Sequence, residues 1–354
     1  MRLEWETLRT MDNRFAWMSL VCAALVVFEH TFAQPMQGTF SWWVNKTCFN
    51  QGIPEVAVPY FFFASGYFLS KHINDHDWWY TAVTRRLKTL IVPFLCWNCC
   101  WVLFLFAGKL IADRLGITLH SVGDIPQGPT LILRCFGLDL LHNPMLAVLW
   151  YVRALFVFVL LSGVISKVIA NKGRGLAFCA VLYIVMVLVV PRLVTEDGSV
   201  GYVFTRLVPL TGLFFFCSGT YVRRFDFAPW RKVNWFVLLF VVSALIGKAW
   251  LVSIGLGGCA LILSVAILPL VMLALLSFMP KCNISRASVA GFAFPLYVMH
   301  PFGLCLVNGL IGPAVHQSVI LSFGVSTCVI LMSYGMMIVV RRFAWLSSLL
   351  YGGR

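Results

Sequence analysis

Long apolar stretches alternate with short polar ones along most of the chain. Many of the apolar stretches reach the roughly 20 residues that a helix needs to cross about 30 Å of hydrocarbon. The pattern predicts ten transmembrane helices, at 15–34, 53–70, 89–111, 146–166, 176–194, 205–222, 233–253, 257–279, 288–311 and 317–340. Helices are required because hydrocarbon offers no partner to exposed backbone groups. The one long connection, 112–145, carries His120, Asp124, Asp139 and His142. A polar segment, 1–14, precedes the first span, which is long enough to cross, so nothing resembles a cleavable signal peptide. The expected fold class is all-α, a polytopic integral membrane bundle that forms one domain over 1–354. No internal repeat or separate soluble domain interrupts it.

Composition agrees with this pattern. Hydrophobic residues make up 60% of the chain and charged ones 11%, against about 25% charged in soluble domains. So little charge cannot cover a water-exposed surface. Thirty Phe and thirteen Trp suit lipid contact and the membrane interface.

The net charge of +14 raises the question of nucleic acid, and its distribution answers it. Lys and Arg stand in small groups at the ends of apolar segments, with no basic arm, so nucleic acid is not an expected partner. Cytoplasmic loops collect basic residues. With the N-terminus inside, the inner segments hold Arg2, Arg9, Arg14, Lys71, Arg85, Arg86, Lys88, Lys167, Lys172 and Arg174. They also hold Arg223, Arg224, Arg231, Lys232, Lys281, Arg286, Arg341, Arg342 and Arg354, nineteen in all. The outer loops hold five: Lys46, Arg114, Arg134, Arg192 and Arg206. Both termini are therefore expected in the cytoplasm, with 341–354 as an inner tail.

Most of the twelve cysteines lie within apolar runs, where they read as helix core. Cys96, Cys99 and Cys100 contain a CxxC without a second ligand pair, so no metal is expected. Cys48 and Cys135 both fall in outer segments, where a disulfide between them is one possibility.

Ionisable side chains inside a span cost a few kcal/mol and are functional candidates for that reason. Glu29 and His30 stand late in span 1, Arg153 early in span 4, and His300 past the middle of span 9. At a rise of 1.5 Å per residue, His30 lies about 24 Å from the inner face and His300 about 18 Å, while Arg153 lies about 10 Å below the outer end of its span. All three fit one layer in the outer half of the bilayer, and Ser65 and Tyr67 reach mid-depth. Each also has a structural reading. A lone histidine can serve helix–helix hydrogen bonding, Arg153 can snorkel, and His300 can satisfy backbone groups freed by Pro301. Lys109 and Lys248 are expected to snorkel. A neutral histidine accepts a hydroxyl proton near neutral pH, and a nearby arginine stabilises an oxyanion or holds a phosphate. Acyl transfer to an alcohol needs that pair, but proton-coupled transport could use the same residues.

Six local motifs, in order, resemble the acyltransferase-3 family of membrane acyltransferases, in particular its bacterial branch that O-acetylates surface glycans. They are LVVFEH ending at His30, VPYFFFASGYFLSK with Ser65, Gly66 and Tyr67, and RRLKTLIVPFLCWN. They continue with LWYVRALFVF containing Trp150, Tyr151 and Arg153, then FFFCSGTYVRR, then FAFPLYVMHP with Tyr297, His300 and Pro301. One position departs from the pattern. The family arginine eleven residues before the span 1 histidine is Ser19 here, and the nearest arginine, Arg14, lies about 7–8 Å further along the axis.

The resemblance implies an O-acyltransferase of the bacterial inner membrane. It would take acetyl from cytoplasmic acetyl-CoA, a substrate and not a tightly bound cofactor, and deliver it to a hydroxyl of a cell-surface or lipid-linked carbohydrate. The implied roles are His30 as general base or transient acyl carrier, and Arg14, Arg85, Arg86 and Lys88 as phosphate contacts at the inner rim. Arg153, Ser65, Tyr297 and His300 would line or brace the pocket. Two alternatives stay open: a transporter or flippase of a lipid-linked sugar, and a non-catalytic membrane partner on the same frame.

Overall fold

A computed structural model of the chain describes residues 2–31, 52–73, 75–115, 125–195, 199–279, 286–311 and 319–352. Every secondary-structure element among them is helical. Among the described residues nine helices are long and apolar enough to cross a membrane, and a shorter apolar helix, Ile53–Leu69, takes the place of the second expected span. The chain is a polytopic all-α membrane protein.

Helix α1, Arg2–Thr31, carries His30 in its last turn. A 3-10 turn, Ile53–Val56, with Pro54 near its start, leads into α2, Ala57–Leu69. The third span differs from expectation, because it begins at Trp78 and not near residue 89. It comprises α3 (Trp78–Arg86), a π turn (Leu87–Ile91) and α4 (Val92–Leu115). Polar WWYTAVTRR showed no apolar run, but Trp79 fixes it in place by donating to the carbonyl of Leu160 at 3.1 Å.

A short helix α5, Pro129–Cys135, lies in the outer loop. The following spans are α6 (Trp150–Val168) and α7 (Lys172–Thr195). One-turn helix α8 (Ser199–Tyr202) and a π turn, Val203–Leu207, lead to α9, Leu210–Arg224. Next come α10 (Trp235–Ser253), capped by the Asn234 side chain on the Val237 N–H, and α11 (Gly257–Phe278). The last spans are α12 (Arg286–Ile311) and α13 (Val319–Arg341).

The expected free tail is partly helical. Helix α14, Ala344–Tyr351, folds back onto α4, where the Trp97 indole donates to the carbonyl of Leu350 at 2.8 Å and Tyr351 is fully buried. The expected Cys48–Cys135 pairing lies outside the described residues.

Helices α2 and α9 pack most closely. A Cβ on Gly66 would come within 2.1 Å of the carbonyl oxygen of Phe216, and one on Gly219 within 2.1 Å of that of Phe63. Small residues that let two backbones touch are the usual device for joining helices where lipid removes the hydrophobic drive. Across this contact the Thr220 hydroxyl reaches the carbonyl of Gly66 at 3.5 Å, while it also donates to the carbonyl of Phe216 on its own helix at 3.1 Å. Helix α1 packs against α2, α12 and α13. The two histidine-bearing helices, α1 and α12, are therefore neighbours in the bundle core. Outward faces carry the exposed apolar residues, such as Phe236 and Leu239 on α10, as lipid contact requires.

Candidate active site

The packing of α1 on α12 brings two of the expected residues together. The rings of His30 and His300 stack, with centroids 5.2 Å apart and planes 23° from parallel. His30 is exposed, whereas His300 is fully buried. Among the described residues neither ring nitrogen of His300 has a well-formed hydrogen bond, although the carbonyls of Leu296 and Tyr297 face the ring. Helix α12 runs through Pro295 and Pro301, and Pro301, having no N–H, leaves the carbonyl of Tyr297 without its usual helical donor. An unpaired buried polar group costs about 1–3 kcal/mol, and such groups call for an explanation, often a functional one.

From this pair a line of side chains runs toward the inner face. The Tyr297 ring lies 6.2 Å from His300 and 5.8 Å from Tyr151. Its hydroxyl donates to the carbonyl of Val148, which fixes α12 against the entry to α6. The Tyr151 hydroxyl is 3.4 Å from the Ser65 hydroxyl. Arg86, half-buried on α3, lies within charge reach of Tyr151. Four expected residues, His30, His300, Tyr297 and Ser65, thus share one wall with Tyr151, and Arg86 stands at its inner end.

The other expected residues stand apart from the imidazoles. Arg85 is exposed. Arg14 is half-buried part-way along α1, where its membrane-length stretch begins, near Arg231. Ser19 bonds inward, its hydroxyl donating to the carbonyl of Phe15 at 2.8 Å and lying 3.2 Å from the Tyr60 hydroxyl. Arg153 shares the histidines' expected depth, but among the described residues its partners are in the connection before α6 and on α8. Its guanidinium donates to the carbonyls of Asp139 (2.7 Å) and His142 (3.2 Å) and to the Tyr202 hydroxyl (2.7 Å). At 7% exposure it is buried and does not snorkel. In this structure it fastens the outer loop to α6. Within that loop, partial burial acts to raise the Asp139 carboxyl. Hydrogen bonds from the His142 ring and the Leu141 N–H outweigh it and hold the group below its ordinary value.

The family model of the acyltransferase-3 family, described as an acyltransferase domain, matches residues 14–341. The chain belongs to the acyltransferase-3 family. No curated protein and no solved structure matches it significantly. The match covers both histidines and the aromatic wall between them and Arg86, so this wall lies inside the domain that defines the membrane acyltransferases.

Beside the wall of this acyltransferase lies a cavity of about 290 Å³ that sequence reasoning missed. Glu29, Glu55, Arg206 and Ser264 line it, with apolar walls that include Phe62 and Trp150. Lys248 does not snorkel as expected. It is 3% exposed, donating to the Ser264 hydroxyl at 2.6 Å and to the Glu55 carboxylate at 3.1 Å. Ser264 also bonds Glu55. A carboxylate available at depth makes pairing cheaper than stretching to the interface. Arg206 lies over the Trp150 ring at 4.7 Å and is in charge reach of Glu29, His30 and Tyr297. Counting charges placed Arg206 in a loop; no local signal tied it to the histidine. Among the described residues no group of three or more His, Cys, Asp or Glu side chains is placed to hold a metal.

Proposed function

We propose that this membrane acyltransferase takes acetyl from cytoplasmic acetyl-CoA and transfers it to a hydroxyl of a cell-surface or lipid-linked carbohydrate, in a bacterial inner membrane with both termini cytoplasmic. The observation that carries the reading is the stacked histidine pair, with an open ring over a buried one and a polar wall leading back to Arg86. In this scheme the neutral His30 ring accepts the proton of the acceptor hydroxyl as its oxygen attacks the acetyl carbonyl. The carbon–sulfur bond breaks, and the proton passes from the imidazolium to the departing thiolate. His300 packs under His30 and sets the orientation of its ring. Guanidinium groups bind phosphate well, so Arg14, Arg85 and Arg86 serve the anionic donor at the inner rim, Arg86 closest to the wall. Ser65 and Tyr297 brace that wall.

The test uses purified protein in nanodiscs, labelled acetyl-CoA, and O-deacetylated surface polysaccharide from the same cells. His30→Ala should abolish transfer, by at least the 10²-fold that a general base contributes, with folding and insertion unchanged. Arg86→Ala should raise KM for acetyl-CoA about tenfold or more, the effect of losing a charged hydrogen bond. A fully active His30→Ala enzyme would sink the mechanism, and an unchanged KM would remove Arg86 from the donor site.

A further inference from the structure

The cavity holds ionisable groups that the transfer chemistry leaves unused. Lys248 neutralises Glu55, and both are held by Ser264. Glu29, half-buried on α1, has no hydrogen-bond or ion-pair partner among the described residues; Glu55 and Arg206 lie within charge reach of it. The lining thus carries two carboxyl groups and one guanidinium, with the ammonium of Lys248 paired to Glu55 behind it. Carboxylates only accept hydrogen bonds and guanidinium only donates them, whereas a hydroxyl does both. Such a lining, with apolar and aromatic walls, suits a neutral ring bearing several hydroxyls. At about 290 Å³, the cavity stands at the small end of ligand sites, enough for one such ring.

Its position gives it a purpose. Successive residues of a helix point about 100° apart, so Glu29 faces the cavity next to the space that His30 faces. Arg206 lies in charge reach of both. We propose that this cavity is an acceptor subsite for a neutral polyhydroxylated ring, the sugar unit adjoining the one whose hydroxyl meets His30. The assignment rests on the acyl-transfer reading for its purpose, but its binding chemistry is independent of catalysis.

Saturation-transfer NMR on the protein in nanodiscs tests it, with the methyl α-glycosides of glucose, galactose and mannose as probes. At least one glycoside should show transfer from the wild-type protein. Glu29→Gln, which keeps the shape and removes the charge, should weaken its affinity about tenfold or more. Thr211→Trp, which places an indole among the lining residues, should abolish the signal. His30→Ala should bind the glycoside as the wild type does. The subsite is overturned if no glycoside binds the wild-type protein, or if Glu29→Gln, confirmed folded by its unfolding temperature, binds as tightly as wild type. Acetyl transfer surviving in His30→Ala would sink the transfer mechanism instead and leave the binding result standing.

Discussion

Replacing Gly66 with Ala would test the framework on which the site is built. The added methyl carbon would stand 2.1 Å from the carbonyl oxygen of Phe216 and 2.9 Å from its carbonyl carbon. Ordinary contact begins near 3.4 Å, so α2 and α9 must separate by about 1.3 Å. Both obstructing atoms are backbone, and no rotamer change relieves them. Overpacking of this kind costs about 1–3 kcal/mol; with backbone on both sides, the upper part of that range, about 2–3 kcal/mol, is expected. At about 2.1 cal/mol/K of unfolding entropy per residue, this corresponds to a fall of roughly 3–4 °C in Tm for a chain of this length. The adjacent Ser65 should move off Tyr151 and activity should fall with it. Thermal unfolding in detergent, followed by a thiol-reactive dye, measures the first effect and acetyl transfer the second. Gly247→Ala is the control, since an added Cβ there meets nothing within 4 Å. If Gly66→Ala unfolds at the same temperature as Gly247→Ala, the close backbone contact does not hold the pair together and the argument fails.

The buried charge pair yields a second prediction. Lys248→Met strands Glu55, which keeps 25% of its side-chain surface exposed, so about 3 kcal/mol should be lost, the low end for breaking a buried pair. The double variant Lys248→Met with Glu55→Gln should return to within about 1 kcal/mol of wild type, and a double variant as unstable as the single one would contradict the pairing. In the outer loop, the Asp139 carboxyl is held below its ordinary value by His142 and the Leu141 N–H. A depressed carboxyl contributes stability that is present above its unfolded pKa of about 3.9 and lost as pH falls through the folded value. A spin label at Leu140 should thus keep constant mobility from pH 8 to about 5 and loosen below about 4. A label whose mobility stays the same from pH 5 to pH 3 would refute the anchoring by the Asp139 carboxylate.

The helical frame was legible because lipid imposes a length and a composition on every span, and each expected apolar segment is mainly helical in its described residues. The exceptions are segments held by tertiary contact. Polar Trp78–Arg86 extends the third span because Trp79 reaches Leu160 on α6, and Ala344–Tyr351 is helical because Trp97 and a buried Tyr351 dock it on α4. Depth was also legible, since rise per residue is constant, and His30 and His300 do meet. Depth alone says nothing of position around the bundle. Arg153, expected at the same depth, turns to the loop carbonyls of Asp139 and His142, while Arg206, which belongs to none of the six motifs, is the arginine in charge reach of His30. Glu55, Ser264 and Lys248 come from three separate elements, so no spacing within one segment could have joined them.

The position where this chain departs from its family shows why the inner basic group need not lie on α1. Ser19 replaces the family arginine, and its hydroxyl is absorbed by Phe15 and Tyr60. Tyr60 in turn donates to the carbonyl of Phe15 at 2.6 Å. One turn below, the Phe15 ring packs on Tyr60, Phe63, Tyr67 and Trp230 at 4.7–6.2 Å. Aromatic side chains therefore close the space around Ser19, and an arginine there would have to displace them. Arg86 stands on another helix, since α3 enters the bundle against α6 and carries its guanidinium into reach of Tyr151. Under the proposed function, the charge that holds the donor has moved from α1 to α3. His30 itself stays stacked on His300 of α12, so in this scheme the donor charge and the base come from different helices.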